Sequence, residues 1–379
     1  MNKQIFILAM AAFGFVACSS DETVAVNQND PDAISFRPLM NNVTRASSVA
    51  DVTTANLTAF TVNAMQAGTE TAYFSNAAYT GTSNGTFTCA TKYYWPSTGN
   101  LDFYAYAPAG NGQVTYTDYK TFTVTPTAGT DPASQVDLVY AATKGKTKAS
   151  NSAGVTLNFR HTGAKIVCKV KNTSTTLKFA VEGWKVGYLY PNGTFVFADT
   201  NTDGNNTGAG TTLSFNQWTP GGTKAYSVEY ASTFSPANIA ASASATDLGG
   251  EFILVPQRIT AATAYANSGT AAAGDKLNNT FIAVKLKIMN NNASSTVIAD
   301  DGNGNAIWAI WPIGDDGGPT SFNWEPGKKY TYTIDLAGGG YYETNQDANA
   351  DLDPIISGAE IKFVSVTVDD WNTSNIPIP

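Results

Sequence analysis

The chain has 379 residues, a formal net charge of −8, 14% charged residues and 43% hydrophobic residues. This acidic balance argues against nucleic acid or an anionic membrane surface as a partner, because both attract a basic face. The length beyond a leader segment predicts two domains. The low charge, with abundant Thr and Tyr, favours short strands over amphipathic helices.

Residues 1–17 predict a lipoprotein signal peptide. Lys3 supplies a positive start, and the apolar run from Ile5 to Ala17 is too short for a permanent membrane-spanning helix. The run ends in Phe-Val-Ala-Cys, which resembles a bacterial lipobox with Cys18 as the lipidated residue. An ordinary secretory signal with an incidental cysteine is the alternative. On the first interpretation, the exported chain begins at the lipidated Cys18.

The first predicted strand follows shortly after this signal peptide. Ile34 and Phe36 share one face of Ala-Ile-Ser-Phe-Arg-Pro-Leu, so the strand has a single apolar face. Pro38 lacks an N–H group and therefore predicts a position at a sheet edge.

Period-2 alternation continues along the chain, and turn signals such as Pro191-Asn192-Gly193 separate the alternating segments. No segment of helical length has a 3.6-residue period. We therefore predict an all-β fold of two tandem β-sandwich domains, transthyretin-like or Ig-like. The polar stretch around residues 172–178 places the boundary between the domains at residue 176, so the second domain is 177–379.

In the last predicted strand, the apolar residues switch from one set of alternate positions to the other. Ile361 and Phe363 share one parity, whereas Val364, Val366 and Val368 share the other, which predicts a bulge or burial on both faces. After Trp371 only Asn-Thr-Ser-Asn-Ile-Pro-Ile-Pro remains. Pro377 and Pro379 cannot donate to a ladder, but Ile376 and Ile378 alternate as an apolar tip would.

Residues with reactive side chains are few. Cys89 and Cys168 could pair in an oxidising compartment or remain buried thiols, and the spacing leaves both open. His161 is the single histidine and has no nominated nucleophile or orienting acid, so we predict no catalytic residue and no enzyme activity. No ligand spacing for a metal and no phosphate-binding glycine motif is present, so no metal and no cofactor is predicted.

Aromatic turns suggest a different class of function. Trp95, Trp308, Trp311 and Trp324 lie in three such turns, and exposed aromatic rings can stack on sugars. Aromatic residues of sandwiches are usually core residues, however. A non-polymerising surface lipoprotein that binds glycans is therefore the alternative hypothesis.

The order of motifs resembles one known family, the fimbrillin-like (Mfa-like) proteins of Bacteroidales, which are subunits of type V pili. The motifs are the lipobox, ISF at 34–36, TRA at 44–46, LTAFTV at 57–62, KYYWP at 92–96, LDFYAYAP at 101–108, LNFRHTGAKI at 157–166, LVPQ at 254–257, PGKKYTYTIDL at 326–336 and VTVDDW at 366–371.

The resemblance implies a precursor that reaches the outer-membrane surface as a lipoprotein and is cut by an arginine-specific protease. On this chain the bond would be Arg45–Ala46, so residues 18–45 would form a lipidated propeptide and residues 46–176 the first domain. The propeptide strand that carries Ile34 and Phe36 would complete the first domain in the precursor and would then be displaced. A plain solvated loop arginine is the alternative for Arg45. The implied partners are other fimbrial subunits, alike or different, together with host or bacterial surface ligands. The implied donor strand is the C-terminal segment, through Ile361, Phe363, Val364, Val366, Val368, Trp371, Ile376 and Ile378. Stalk, tip and anchor roles all remain open.

Overall fold

Strands make up nearly all of the regular structure in the computed structural model of this protein, in agreement with the predicted all-β class. The structure describes residues 30, 32–40, 57–81, 87–108, 111–125, 132, 135–152, 154–197, 217–224, 226–259, 280–292, 297–299, 303–313, 322–338, 341–343, 352–354 and 365–370. Among these residues no helix is both long and apolar enough to span a membrane.

The described strands, in chain order, are β1 (Phe36–Met40), β2 (Ala59–Gln66), β3 (Ala72–Gly81), β4 (Phe87–Cys89), β5 (Leu101–Ala107), β6 (Val114–Tyr116), β7 (Thr121–Val124), β8 (Val139–Lys146), β9 (Val155–His161), β10 (Ala164–Asn172), β11 (Leu177–Leu189), β12 (Asn192–Val196), β13 (Trp218–Gly221), β14 (Tyr226–Tyr230), β15 (Ala237–Ile239), β16 (Ser242–Asp247), β17 (Phe252–Leu254), β18 (Arg258–Ile259), β19 (Phe281–Asn290), β20 (Val297–Ala299), β21 (Ile307–Pro312), β22 (Phe322–Asn323), β23 (Lys328–Asp335), β24 (Tyr341–Glu343), β25 (Leu352–Pro354) and β26 (Ser365–Asp370). A 3₁₀ turn, Leu336–Gly338, follows β23.

These strands form four larger sheets and one short pair. The first sheet has the order β1-β9-β8-β5-β2-β3-β4, and the second has the order β16-β10-β23-β26, with β17 also paired to β10. The third runs β14-β11-β19-β21-β24-β25, with β15 beside β11 and β20 beside β19. The fourth runs β13-β12-β7-β6, and β18 pairs with β22.

Alternation in the sequence explains which face of each strand is buried. In β23, Tyr330, Tyr332 and Ile334 are buried while the residues between them are only partly covered. Side chains of a strand point alternately to its two faces, so this pattern gives one face to the core. The second and third sheets turn such faces toward each other and share one large hydrophobic cluster.

The first sheet encloses a core of its own by curling. Phe36 on β1 lies 5.1 Å from Tyr79 on β3 between ring centroids, although these strands are far apart in the sheet order. Phe60 and Phe159 likewise approach to 5.7 Å. One face of the sheet therefore packs against itself, and we call these buried residues the first core. The fourth sheet covers the other face, where Phe122, Phe195 and Trp218 pack against Tyr104 and Tyr140.

The cluster shared by the second and third sheets, which we call the second core, already includes residues before 176. Residues of β10, including Ile166 and Cys168, already pack with the second and third sheets. In the other direction, β12 pairs with β7 and delivers Phe195 to the fourth sheet. The polar stretch that suggested a linker is the turn between β10 and β11, where the Asn172 side chain donates to the Leu177 carbonyl oxygen at 2.8 Å. The domain limits 46–176 and 177–379, and the two tandem sandwiches, stay predictions, and the packing favours a division before β10.

Candidate functional site: the groove of the first strand

The first strand lies at the edge of the first sheet. Among the described strands, β1 pairs only with β9, in parallel, from Phe36 opposite Val155 to Met40 opposite Phe159. Just before it, the Val155 N–H donates to the Ser35 carbonyl at 2.8 Å, and the Ile34 N–H donates to the Tyr93 carbonyl at 2.7 Å. The segment thus bridges β9 and the loop at residues 93–94 across the open side of the curled sheet.

Both apolar residues predicted on this strand are fully buried. Ile34 and Phe36 each have 0% exposure and belong to the first core. The Phe36 ring meets Phe103 edge-on, with centroids 5.2 Å apart. Burying a phenylalanine side chain is worth about 1.5–3 kcal/mol in transfer free energy alone. The strand is therefore a packed part of the core.

Pro38 fits the edge position for a specific reason. Because the Ser35 carbonyl accepts from β9, alternate residues of the strand (35, 37 and 39) turn their backbone groups toward β9. The backbone nitrogen of Pro38 then points away from the ladder, where a missing N–H group costs no hydrogen bond.

Charged and aromatic side chains fasten the residues that precede the strand. The Tyr94 hydroxyl donates to Asp30 at 3.0 Å, and Lys92 lies 3.8 Å from the same carboxylate. Lys148 pairs with Asp32. The hydrogen bond to Asp30 raises the pKa of Tyr94 above its usual value. Because such pairs are solvent-exposed, each adds at most a small stabilisation, and burial of Ile34 and Phe36 dominates.

Several predicted site residues lie outside the described residues, and their roles stay predictions. These are Cys18, Arg45, Ala46, Ile361, Phe363, Val364, Trp371, Ile376 and Ile378. Val366 and Val368 lie in β26, which pairs antiparallel with β23 in the second sheet. Val368 is 49% exposed. A donor role for these two valines would require β26 to leave its own sheet.

One residue of the groove, the site on β9 that β1 occupies, was not singled out from the sequence. Asn158 lies on β9 in register with Leu39 of β1, and only 5% of it is exposed. Among the described residues, neither its amide nitrogen nor its amide oxygen has a hydrogen-bond partner. Such a group is unusual, since buried polar atoms are nearly always paired. In the sequence, Asn158 is a polar residue between Leu157 and Phe159, as expected on the solvent-facing side of a strand. The sequence does not show that this side of β9 is covered in the folded protein.

The single histidine of the chain is buried and contacts an aspartate. His161 and Asp137 are both buried, and Nδ1 of the imidazole lies 2.9 and 2.8 Å from the two carboxylate oxygens. Within the described ranges, no group of three or more His, Cys, Asp or Glu side chains is placed to hold a metal ion. The pair joins the start of β8 to the end of β9, where it stabilises the first sheet.

The aromatic turns are mostly core. Trp311 and Trp324 are 2% and 0% exposed, and the Trp324 indole donates to the Tyr332 hydroxyl at 2.8 Å. Neither ring can stack on a sugar in this fold. Trp308 is partly exposed, but the Lys185 ammonium lies 4.4 Å from its ring centroid and covers one face.

Cys89 and Cys168 are free thiols in different parts of the molecule. Cys89 lies in β4 of the first sheet and is partly exposed, whereas Cys168 lies in β10 and is fully buried. Burial raises the pKa of the Cys168 thiol well above its usual value.

We therefore expect a maleimide at pH 8 to modify Cys89 in the folded protein and to leave Cys168 unmodified, because only a reachable thiolate reacts. Peptide mass mapping before and after denaturation in guanidinium checks this, with Cys89→Ser as the control for site assignment. Equal labelling of both thiols, or a peptide that joins the two cysteines, would contradict it.

Comparison with known proteins identifies the family. A family model described as fimbrillin-like matches residues 44–371, which is most of the chain. The chain belongs to the fimbrillin-like family. This confirms the resemblance seen in the motifs, and it supports a fimbrial or adhesive subunit at the cell surface. Among curated proteins no relative matches this fimbrillin-like chain.

Solved structures of fimbrial proteins resemble this fimbrillin-like chain. A fimbrial protein from Bacteroides vulgatus ATCC 8482 aligns with a TM-score of 0.52 and 15% identity, covering 90% of this chain and 99% of that one. The tip fimbrial protein Mfa3 from Porphyromonas gingivalis aligns with a TM-score of 0.39 and 10% identity, covering 88% and 99%. The fimbrial anchor protein Mfa2 from the same organism gives 0.30 and 10%, covering 89% and 98%. At this identity the likeness to the first of them concerns the fold.

Proposed function

We propose that this fimbrillin-like protein is a structural or adhesive fimbrial subunit that assembles by exchange of its first strand. In this proposal the precursor is exported as a lipoprotein anchored to the outer membrane through Cys18. Cleavage between Arg45 and Ala46 then frees the segment that carries β1, and a strand from a neighbouring subunit takes its place. The burial of Ile34 and Phe36 at a sheet edge is the observation that carries the proposal.

The physical reason lies in what departure of the segment would expose. The β9 backbone from Val155 to Phe159 would lose its partner, and the first core would lose two apolar side chains. An open edge beside an apolar slot is a template for another chain's strand. Each subunit would donate at one end and accept at another, so the contact is head-to-tail and continues as an open filament.

The donor in this proposal is the C-terminal tail. β26 is engaged with β23 over residues 365–370, so donation by that strand would cost a ladder in the subunit that donates. Residues 372–379 follow it and contain the alternating Ile376 and Ile378. We therefore assign donation to these eight residues.

Digestion of the purified precursor with an arginine-specific protease tests the proposal. We expect a new N-terminus at Ala46, followed by detergent-resistant multimers on a gel. Arg45→Gln is the matched control and should prevent both, while deletion of residues 372–379 should permit cleavage but prevent multimers. A cleaved chain that stays monomeric would contradict strand exchange.

Glycan binding has less support. Of the two neighbouring tryptophans that would bind a sugar, Trp311 is buried, and the Lys185 ammonium lies over the ring of Trp308. A glycan array with Trp308→Ala would identify any binding that depends on this ring.

A further inference from the structure

The side-chain amide of Asn158, next to β1, lacks hydrogen-bond partners among the described residues of the precursor. This amide is buried beside β1, and within the described residues neither polar atom is paired. The β1 residue in register with it is Leu39, and leucine has no hydrogen-bonding group. The precursor's own strand thus leaves a polar group unsatisfied that a different strand could satisfy.

We propose that Asn158 selects the incoming strand by pairing with Asn375 of a second copy of this chain, whose tail enters antiparallel to β9. This inference rests on the proposed strand exchange and names the residue pair that would fix its direction and register.

The prolines of the tail determine the direction. The tail ends Asn375-Ile376-Pro377-Ile378-Pro379, so the isoleucines must face the apolar slot and the prolines must face outward. The parallel β1 bonds to β9 through its outward-facing residues, since the Ser35 carbonyl accepts from the Val155 N–H. A parallel tail would place both prolines at those positions, where they have no N–H group to donate.

An antiparallel tail avoids this loss. In an antiparallel pair, a residue opposite Val155 or Leu157 exchanges both backbone bonds with it and shares its face. Val155 and Leu157 belong to the first core, so the inward-facing isoleucines would make the ladder bonds. The prolines would then lie at non-hydrogen-bonded positions.

The ladder also determines the register. Pairing between β1 and β9 starts at Phe36 opposite Val155, so Ile378 opposite Val155 uses the ladder from its first residue. Ile376 then lies opposite Leu157, and Asn375 lies opposite Asn158. This is a non-hydrogen-bonded pair, in which facing side chains come closest, so the two amides can exchange N–H···O bonds.

A double-mutant cycle in the full chain tests this inference after cleavage at Arg45. We expect Asn375→Leu and Asn158→Leu each to slow multimer formation by roughly 5- to 150-fold, because each leaves one buried amide unpaired. The double variant should recover much of this loss, since two leucines leave no polar group unpaired. Thr373→Val is the matched tail control and should assemble as the unmodified chain does.

Asn375→Leu acts on the tail and leaves the described fold unchanged, so its result does not depend on folding of the Asn158 variant. Assembly of Asn375→Leu at the normal rate would overturn the inference, and so would a requirement for Thr373 in its place. Failure of the unmodified cleaved chain to assemble would instead reject strand exchange itself. Assembly with purely additive effects of the two leucines would reject the Asn158–Asn375 pair alone.

Discussion

Replacing Phe36 with alanine is expected to lower the free energy of unfolding of the precursor by about 3–5 kcal/mol. The ring is fully buried and meets the rings of Tyr79 and Phe103 edge-on, at 5.1 and 5.2 Å. These neighbours belong to other strands of the curled sheet, so they cannot close the cavity without moving a backbone ladder. The urea midpoint of the purified precursor, followed by circular dichroism, measures the loss.

The same substitution should weaken retention of the first strand. Phe36 and Ile34 are the two apolar anchors of the segment, and the remaining exposed ion pairs hold little. We therefore expect Phe36→Ala to form some multimers without cleavage at Arg45. Val196→Ala is the control, because Val196 is 40% exposed and should shift stability by less than about 0.5 kcal/mol. An unchanged midpoint for Phe36→Ala would show that the segment is not part of the folded core.

The alternation of Ile34 and Phe36, with Pro38 after them, was enough to predict a one-faced edge strand. The partner of that strand could not be predicted in the same way. β9 lies more than a hundred residues along the chain and pairs in parallel, so no local turn specifies the contact. The unpaired amide of Asn158 depends on this pairing and on coverage of the outer face, which are both properties of the folded molecule.

Polarity at residues 172–176 is compatible with either a linker or a turn, for a similar reason. A tight turn between two strands of one core needs polar side chains to satisfy its backbone, as a linker between domains does. Ser174 shows this, because its N–H donates to the Asn172 side chain and its hydroxyl accepts from the Leu177 N–H. Composition cannot separate the two cases, whereas the membership of β10 in the second core does.

Replacing Trp218 with alanine is expected to destabilise the protein by about 3–5 kcal/mol. Trp218 is 4% exposed in β13, its ring centroid lies 5.2 Å from that of Phe195, and its indole donates to the Thr162 carbonyl at 2.7 Å. Thr162 lies in the turn between β9 and β10, where the chain passes from the first core to the second. The Trp218 side chain therefore attaches the fourth sheet to the turn between β9 and β10. Thermal or urea unfolding measures the contribution of Trp218 to stability.

Two further variants separate packing from hydrogen bonding at Trp218. Trp218→Phe keeps most of the apolar volume and removes the donor to Thr162, so it should cost about 1–2 kcal/mol. Trp308→Ala removes the same side chain from a partly exposed position and should cost less than Trp218→Ala. Equal losses at the two tryptophans would mean that packing of the fourth sheet on the first sheet contributes little to stability. The predicted order follows from burial, since only at Trp218 does truncation leave a cavity that the surrounding strands cannot fill.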